Sequence, residues 1–145
     1  MKKKNLLLAA APIVAIIFAA DPNGVTMRWG KRLVDGSIGF TEKHCAFFNP
    51  IAAAYGDAAP FLTAVLSVVL LVMCLACSLT RKVYTTTKIV ASLAFLSSAA
   101  ALTTSLFVLS YVSFPGLIIT VVLAAGAVLT FYLLPGTISM HGTQK

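Results

Sequence analysis

Two cysteines, Cys74 and Cys77, form a C-x-x-C within a long apolar run. That spacing suits a dithiol that closes reversibly into a disulfide, so it raises membrane thiol redox chemistry. Such chemistry wants the pair at the outer membrane surface beside a quinone, with a second cysteine pair to pass electrons on. Cys45 is the one remaining cysteine, so the second pair is absent. The other reading is that both thiols are small apolar residues on a helix packing face, as buried free cysteines commonly are.

A second cluster is His44-Cys45 with Glu42 and Asp57 nearby. These are residue types that ligate metals or form a Cys/His nucleophile pair. Adjacent side chains on a strand point to opposite faces, so His44 and Cys45 do not converge easily on one ion. The pattern predicts a surface histidine and a partly buried cysteine, and no catalytic, cofactor-binding or metal-binding residue is assigned. Ion-coupled transport is disfavoured too, because no Asp, Glu, Lys, Arg or His lies inside any apolar span, where such pumps keep their coupling groups. Ser97, Ser98, Thr103, Thr104 and Ser105 offer a polar path, but hydroxyls of that kind more often bond to their own helix carbonyls.

The elements that position these residues follow from composition. Of the 145 residues 59% are hydrophobic and 10% charged, outside the range of soluble domains. The net charge of +7 comes from Lys2-Lys3-Lys4, Arg81, Lys82, Lys88 and Lys145, with the remaining basic residues balanced by the acids of one long loop. That distribution is a positive-inside signal and needs no nucleic acid partner.

The apolar runs predict an all-α membrane protein, a four-transmembrane-helix bundle with helices over about 6–20, 61–79, 89–114 and 117–134. The first run reads either as a signal peptide or as a short first span. Its length of about 22 Å favours the former, and the large Phe18 and Ile17 near any cut after Ala20 or Ala19 favour the latter. Residues 21–60 form one extracytoplasmic loop, and 135–145 a cytoplasmic tail. Residues 83–88 are a connector or the first turns of the third helix, and Pro115-Gly116 is a tight outer turn.

Within the loop, 25–29, 31–34 and 37–40 read as short antiparallel strands, with a corner at Gly30 and a type I′ turn at Asp35-Gly36. So small a sheet should rest on the helix ends through Trp29, Leu33, Ile38 or Phe40. Asp57 is the expected N-cap of the second span, with Pro60 in its first turn. Packing of the bundle is assigned to seams of small residues. They are Thr63, Ser67, Leu70, Cys74 and Cys77; Ala91, Ala94, Ser98, Ala101 and Ser105; and Thr120, Ala124, Ala127 and Thr130. Three such faces predict a tight bundle without a large cavity.

The run from Phe47-Phe48-Asn49-Pro50 through Tyr55-Gly56-Asp57 to Pro60 and Ala64 resembles small four-helix membrane proteins of Gram-positive, clostridia-like bacteria. The resemblance implies a four-span architecture and no particular activity. Four spans with a sheet in the first outer loop are also similar to claudins, but the paired-cysteine Trp motif and the second outer loop of that family are missing.

The sequence is therefore read as a scaffold or accessory subunit of a bacterial plasma membrane, multi-pass with both termini cytoplasmic. Its partners are the lipid bilayer and a membrane protein or a second copy of itself. The expected interaction surface is Trp29, Phe47, Phe48, Asn49, Pro50, Tyr55 and Asp57. A small transport or permeation component is the alternative, and a thiol redox protein using Cys74 and Cys77 comes third.

Overall fold

The computed structural model describes residues 3–51, 58–80, 83–107, 110–112 and 114–134. Four helices and three strands follow one another as α1 (Lys3–Ala19), β1 (Val25–Arg32), β2 (Ile38–Cys45), α2 (Ala59–Leu79), α3 (Tyr84–Phe107), β3 (Ser110–Val112) and α4 (Phe114–Leu133). Three helical stretches, Ala59–Cys77, Tyr84–Leu102 and Phe114–Leu133, are long and apolar enough to cross a membrane, whereas the apolar part of α1, Leu7–Ala19, is shorter. Each helix packs on the next, and α4 closes the ring against α1. The sheet follows the ends of α1 and α3 and precedes the starts of α2 and α4, so it sits at one end of an up-down-up-down bundle.

The bundle carries several hydroxyls within its apolar core and large apolar side chains on its outside. Thr63, Ser67, Thr87, Ser98 and Thr130 are buried, while Val72, Leu96, Val121 and Val128 stand exposed. A helix bundle in water places these classes the other way round. Among the described residues no buried side-chain nitrogen or oxygen lacks a hydrogen-bond partner. Thr87 donates to the Val83 carbonyl at 2.8 Å and Thr130 to the Gly126 carbonyl at 2.7 Å, each one turn back. Bonding of this type lets a hydroxyl sit inside a helix bundle without water.

Most neighbouring helices are also tied across their seams. Thr63 and Ser97 share a hydrogen bond of 3.1 Å between α2 and α3, and Ser98 and Thr120 one of 2.6 Å between α3 and α4. The α1–α4 seam uses close approach instead. A methyl group on Gly126 would lie 2.7 Å from the Ala11 methyl, so only glycine lets the backbones come so near.

The seam of α2 lies where the spacing places it, with Thr63, Ser67, Leu70, Cys74 and Cys77 all buried, and that of α3 does so as far as Ala101. On α4 the buried face is Gly116, Ile119, Leu123, Gly126, Ala127 and Thr130, rotated about one residue from the expected stripe. Thr120 and Ala124 are only half buried.

Other boundaries move as well. Residues 84–88 are the first turns of α3, and Thr87 secures them. The third helix ends at Phe107 rather than 114, because Ser110–Val112 leave the helix to pair with β1. Pro115 and Gly116 are then not a turn but the first turn of α4, a position where a missing N–H costs nothing. The flanking position before α2 is Ala58, which makes no side-chain cap, with Pro60 in the first turn. Asp57, the expected cap, lies outside the described residues, as does the tail 135–145.

Candidate interaction surface

The sheet has the order β2-β1-β3, all antiparallel. β1 is continuous through Gly30, which pairs with Phe40, so no corner forms there. The turn is not type I′ either. That type needs positive φ at both central residues, and Gly36 alone, at φ 80°, has it. Leu33 and Gly36 close the loop through Leu33 N–H to the Ser37 carbonyl (2.9 Å) and Gly36 N–H to the Leu33 carbonyl (3.0 Å). This is a three-residue hairpin loop with a left-handed glycine in third place. The Asp35 carboxylate accepts from the Ser37 backbone N–H at 3.0 Å and from its hydroxyl at 2.6 Å, which holds the exposed carboxyl below the usual range.

One end of the hairpin is built into the bundle. Val25, Met27, Cys45 and Phe47 are all buried in the common core. Asp21 stops α1 with a side-chain turn, its Oδ1 accepting from Asn23 N–H at 2.8 Å. Phe47 N–H then donates to the Ala19 carbonyl at 3.0 Å, tying the chain after β2 to the end of α1. The Phe47 ring lies so close over Gly24 that a methyl there would meet it at 2.8 Å. β3 braces the same end, pairing with Val25, Thr26 and Met27.

The other end projects. Val34 is fully exposed, Ile38 is 69% and Phe40 59% exposed, and Leu33 is about half exposed. Lys31 and Arg32 are exposed beside them. Leu33 closes over Gly39, where a methyl would lie 3.0 Å from Leu33 Cδ1, and this packing fixes the tip. Among the described residues no further strand pairs with β2 on its outer side, and on the side of β3 none pairs with β1 beyond Met27. The seating is thus the reverse of the expected one: the Leu33, Ile38 and Phe40 end points away from the helices, and the Val25 and Cys45 end is the anchor.

The expected surface residues are redistributed accordingly. Phe47 is 1% exposed and belongs to the core, and Phe48 is packed partly against it. Asn49 makes a local turn, its Oδ1 accepting from Ile51 N–H at 3.0 Å, and Pro50 is exposed. Trp29 stands in β1 opposite Thr41, while Tyr55 and Asp57 lie outside the described residues. Beyond this set, the exposed apolar tip is a further candidate surface. Its signal in the sequence was the period-2 alternation, which gives two faces and does not say which end docks.

The chemistry-bearing residues separate. His44 is exposed and its Nδ1 lies 2.9 Å from the Thr26 hydroxyl, whereas Cys45 is buried with its thiol directed at Met27 Sδ (3.8 Å). Burial pushes the Cys45 thiol up from its ordinary value, with Lys43 pulling more weakly the other way. Cys74 and Cys77 address different helices. The Cys74 thiol meets the Leu8 carbonyl of α1 at 3.6 Å, and Cys77 Sγ lies 3.1 Å from the Thr87 hydroxyl of α3. Either the Cys77 thiol or the Thr87 hydroxyl can donate in this contact. All three cysteines are free. Among the described residues no group of three or more His, Cys, Asp or Glu is placed to hold a metal ion. Comparison with protein families, with curated proteins and with solved structures found nothing that matches the chain.

Proposed function

We propose that the chain is an integral scaffold or accessory subunit of a bacterial plasma membrane, with four spans and both termini cytoplasmic, that binds a partner protein through the β1–β2 hairpin. The observation that carries this reading is the hairpin itself. It is seated in the bundle at one end and presents Leu33 and Val34 in its loop, with Ile38 and Phe40 on the outermost strand of the described sheet, at the other. Exposed apolar patches of that kind mark interaction sites, and an outermost strand invites strand addition.

The bilayer is supported by the apolar outer faces of the helices. The orientation is supported by the sequence positions of Lys2-Lys3-Lys4, at the start of α1, and of Arg81-Lys82, just after α2. The buried hydroxyls are directed at helix carbonyls or at one another, which weighs against a polar transport path. The two thiols of the C-x-x-C each hold a different neighbouring helix, which weighs against a working dithiol.

The test is a photo-cross-linking residue at Phe40 or Val34 in intact cells. A discrete cross-linked species is expected, its mass telling a second copy from another protein, and Phe40→Asp should abolish it without releasing the chain from membranes. Absence of any cross-link from both positions would remove the reading. Quinone-dependent thiol oxidation lost in Cys74→Ser would replace it with the redox one.

A further inference from the structure

A groove of about 750 Å³ opens outward between α3 and α4. Its floor is small, Ala124 and Ala127, and its walls are Phe95, Leu96, Val128 and Phe131. The three small-residue seams predict no such space. It arises because the buried stripe of α4 is rotated, which leaves Ala124 half exposed beside large neighbours. Its size falls within the range of about 300–1000 Å³ typical of small-molecule sites.

One end of the groove is charged. Lys88 lies one helical turn before the lining residue Ser92, and its Nζ stands 5.5 Å from the centroid of the Phe131 ring, close enough for a cation–π contact. Lys88 is the one charged residue within the bounds of α2, α3 and α4. All four acidic residues fall in the stretch 21–57, between α1 and α2 in the sequence. The Ser92 hydroxyl is already given to the Lys88 carbonyl at 3.0 Å, so it is no headgroup ligand.

An apolar trough with, among the described residues, a cation at one end is complementary to an amphiphile of the opposite charge. We infer that this groove binds one anionic phospholipid, with an acyl chain along Ala124 and Ala127 and the phosphate at Lys88. The inference rests on the membrane reading above, under which Lys88 lies at the cytoplasmic headgroup level, where anionic lipids attract such side chains. A flat helix of a second copy would not match either the concavity or the single terminal charge.

Native mass spectrometry of the full chain in neutral detergent tests this, with phosphatidylglycerol and phosphatidylcholine of identical acyl chains as probes. One phosphatidylglycerol adduct should be retained with about a fivefold preference, the factor contributed by one basic residue near an anionic headgroup. Lys88→Gln should erase the preference, Lys88→Arg should keep it, and Ala124→Phe should displace the lipid by filling the floor. Equal adducts of both lipids, or a preference that survives Lys88→Gln, would overturn the inference, as would a change of oligomeric state in place of lipid loss in Ala124→Phe. Carbonate extraction of the membranes from which the chain is purified separates the two failures. A chain that stays in the membrane without lipid preference defeats the groove alone, and a chain that is extracted defeats the membrane reading with it.

Discussion

The Cys74 thiol donates to the Leu8 carbonyl oxygen across 3.6 Å, and Leu8 lies four residues before Pro12. A proline has no N–H, so within α1 the Leu8 carbonyl is the one that Pro12 leaves without its helical partner. α2 supplies the missing donor. This is how an apolar bundle keeps a proline mid-helix without a bare carbonyl. The first prediction follows from it. Cys74→Val should cost about 0.6–2 kcal/mol, the range for interhelical hydrogen bonds in membranes, and Cys74→Ser should cost less because the donor survives. In a Pro12→Ala background the restored backbone N–H reaches the Leu8 carbonyl, and the cost of Cys74→Val should largely vanish. Additive effects in that double-mutant cycle, read by denaturant unfolding in detergent, would refute the pairing.

The α1–α4 seam makes a second prediction, because a methyl on Gly126 would lie 2.7 Å from the Ala11 methyl. Gly126→Ala should destabilise by about 1–3 kcal/mol, as overpacking does. Adding Ala11→Gly should recover most of it. The pair also bears on the first helix, which packs against both α2 and α4. If α1 stays in the mature protein, peptides from Leu7–Ala19 are recovered from purified membranes; if it is cleaved, they are missing and Gly126→Ala is silent.

These residues show where sequence was informative and where it was not. The face of α2 was legible because in a close-packed bundle the small positions Thr63, Ser67, Cys74 and Cys77 mark contact directly. On α4 small residues fall on two adjacent stripes, and the choice between them is made by Gly126 meeting Ala11, a contact far away in sequence. β3 was missed for a similar reason. Ser110–Val112 continues an apolar run, and what makes it a strand is pairing with residues 25–27, more than eighty positions earlier. Tyr111 and Val112 before Phe114-Pro115 were the local hint, being β-formers ahead of a proline. The hairpin was legible as a hairpin, but its polarity was not. Alternation is the same from either end, and the anchor is set by Phe47 fitting over Gly24.

Cys45 gives a pH prediction. Its thiol is raised from 9.0 by burial, so the folded chain holds that proton more tightly than the unfolded one. The resulting stabilisation is fully present below 9.0 and is lost as pH rises through the higher folded value. Relative to Cys45→Val, which removes this titration but keeps the lysines, the native chain should lose stability as pH rises above 9.0. Cys45 should also resist maleimide until the sheet is unfolded. A stability difference that stays flat with pH, or prompt labelling of the folded chain, would contradict the buried thiol.

The last prediction separates anchor from surface within one hairpin. Phe47 is 1% exposed over Gly24, whereas Phe40 is 59% exposed at the projecting end. Phe47→Ala should therefore cost about 3–5 kcal/mol, as loss of a core phenylalanine does, and should loosen the hold of β1 and β2 on the helices. Phe40→Asp leaves that core untouched, so it should lower the melting temperature far less than Phe47→Ala does. The two substitutions exchange places when association is measured. Phe40→Asp and Ile38→Asp should abolish cross-linking through the tip, while a milder Phe47 variant such as Phe47→Leu should retain it. Were Phe40→Asp to leave association intact while Phe47→Leu removed it, recognition would lie in the segment around Phe47 and not at the tip. Edge pairing by β2 has its own signature. Replacement of Ile38, whose backbone N–H faces away from β1 in the ladder, by N-methylated isoleucine on a synthetic hairpin removes one outward backbone donor, and competition by that hairpin should weaken only if strand addition contributes.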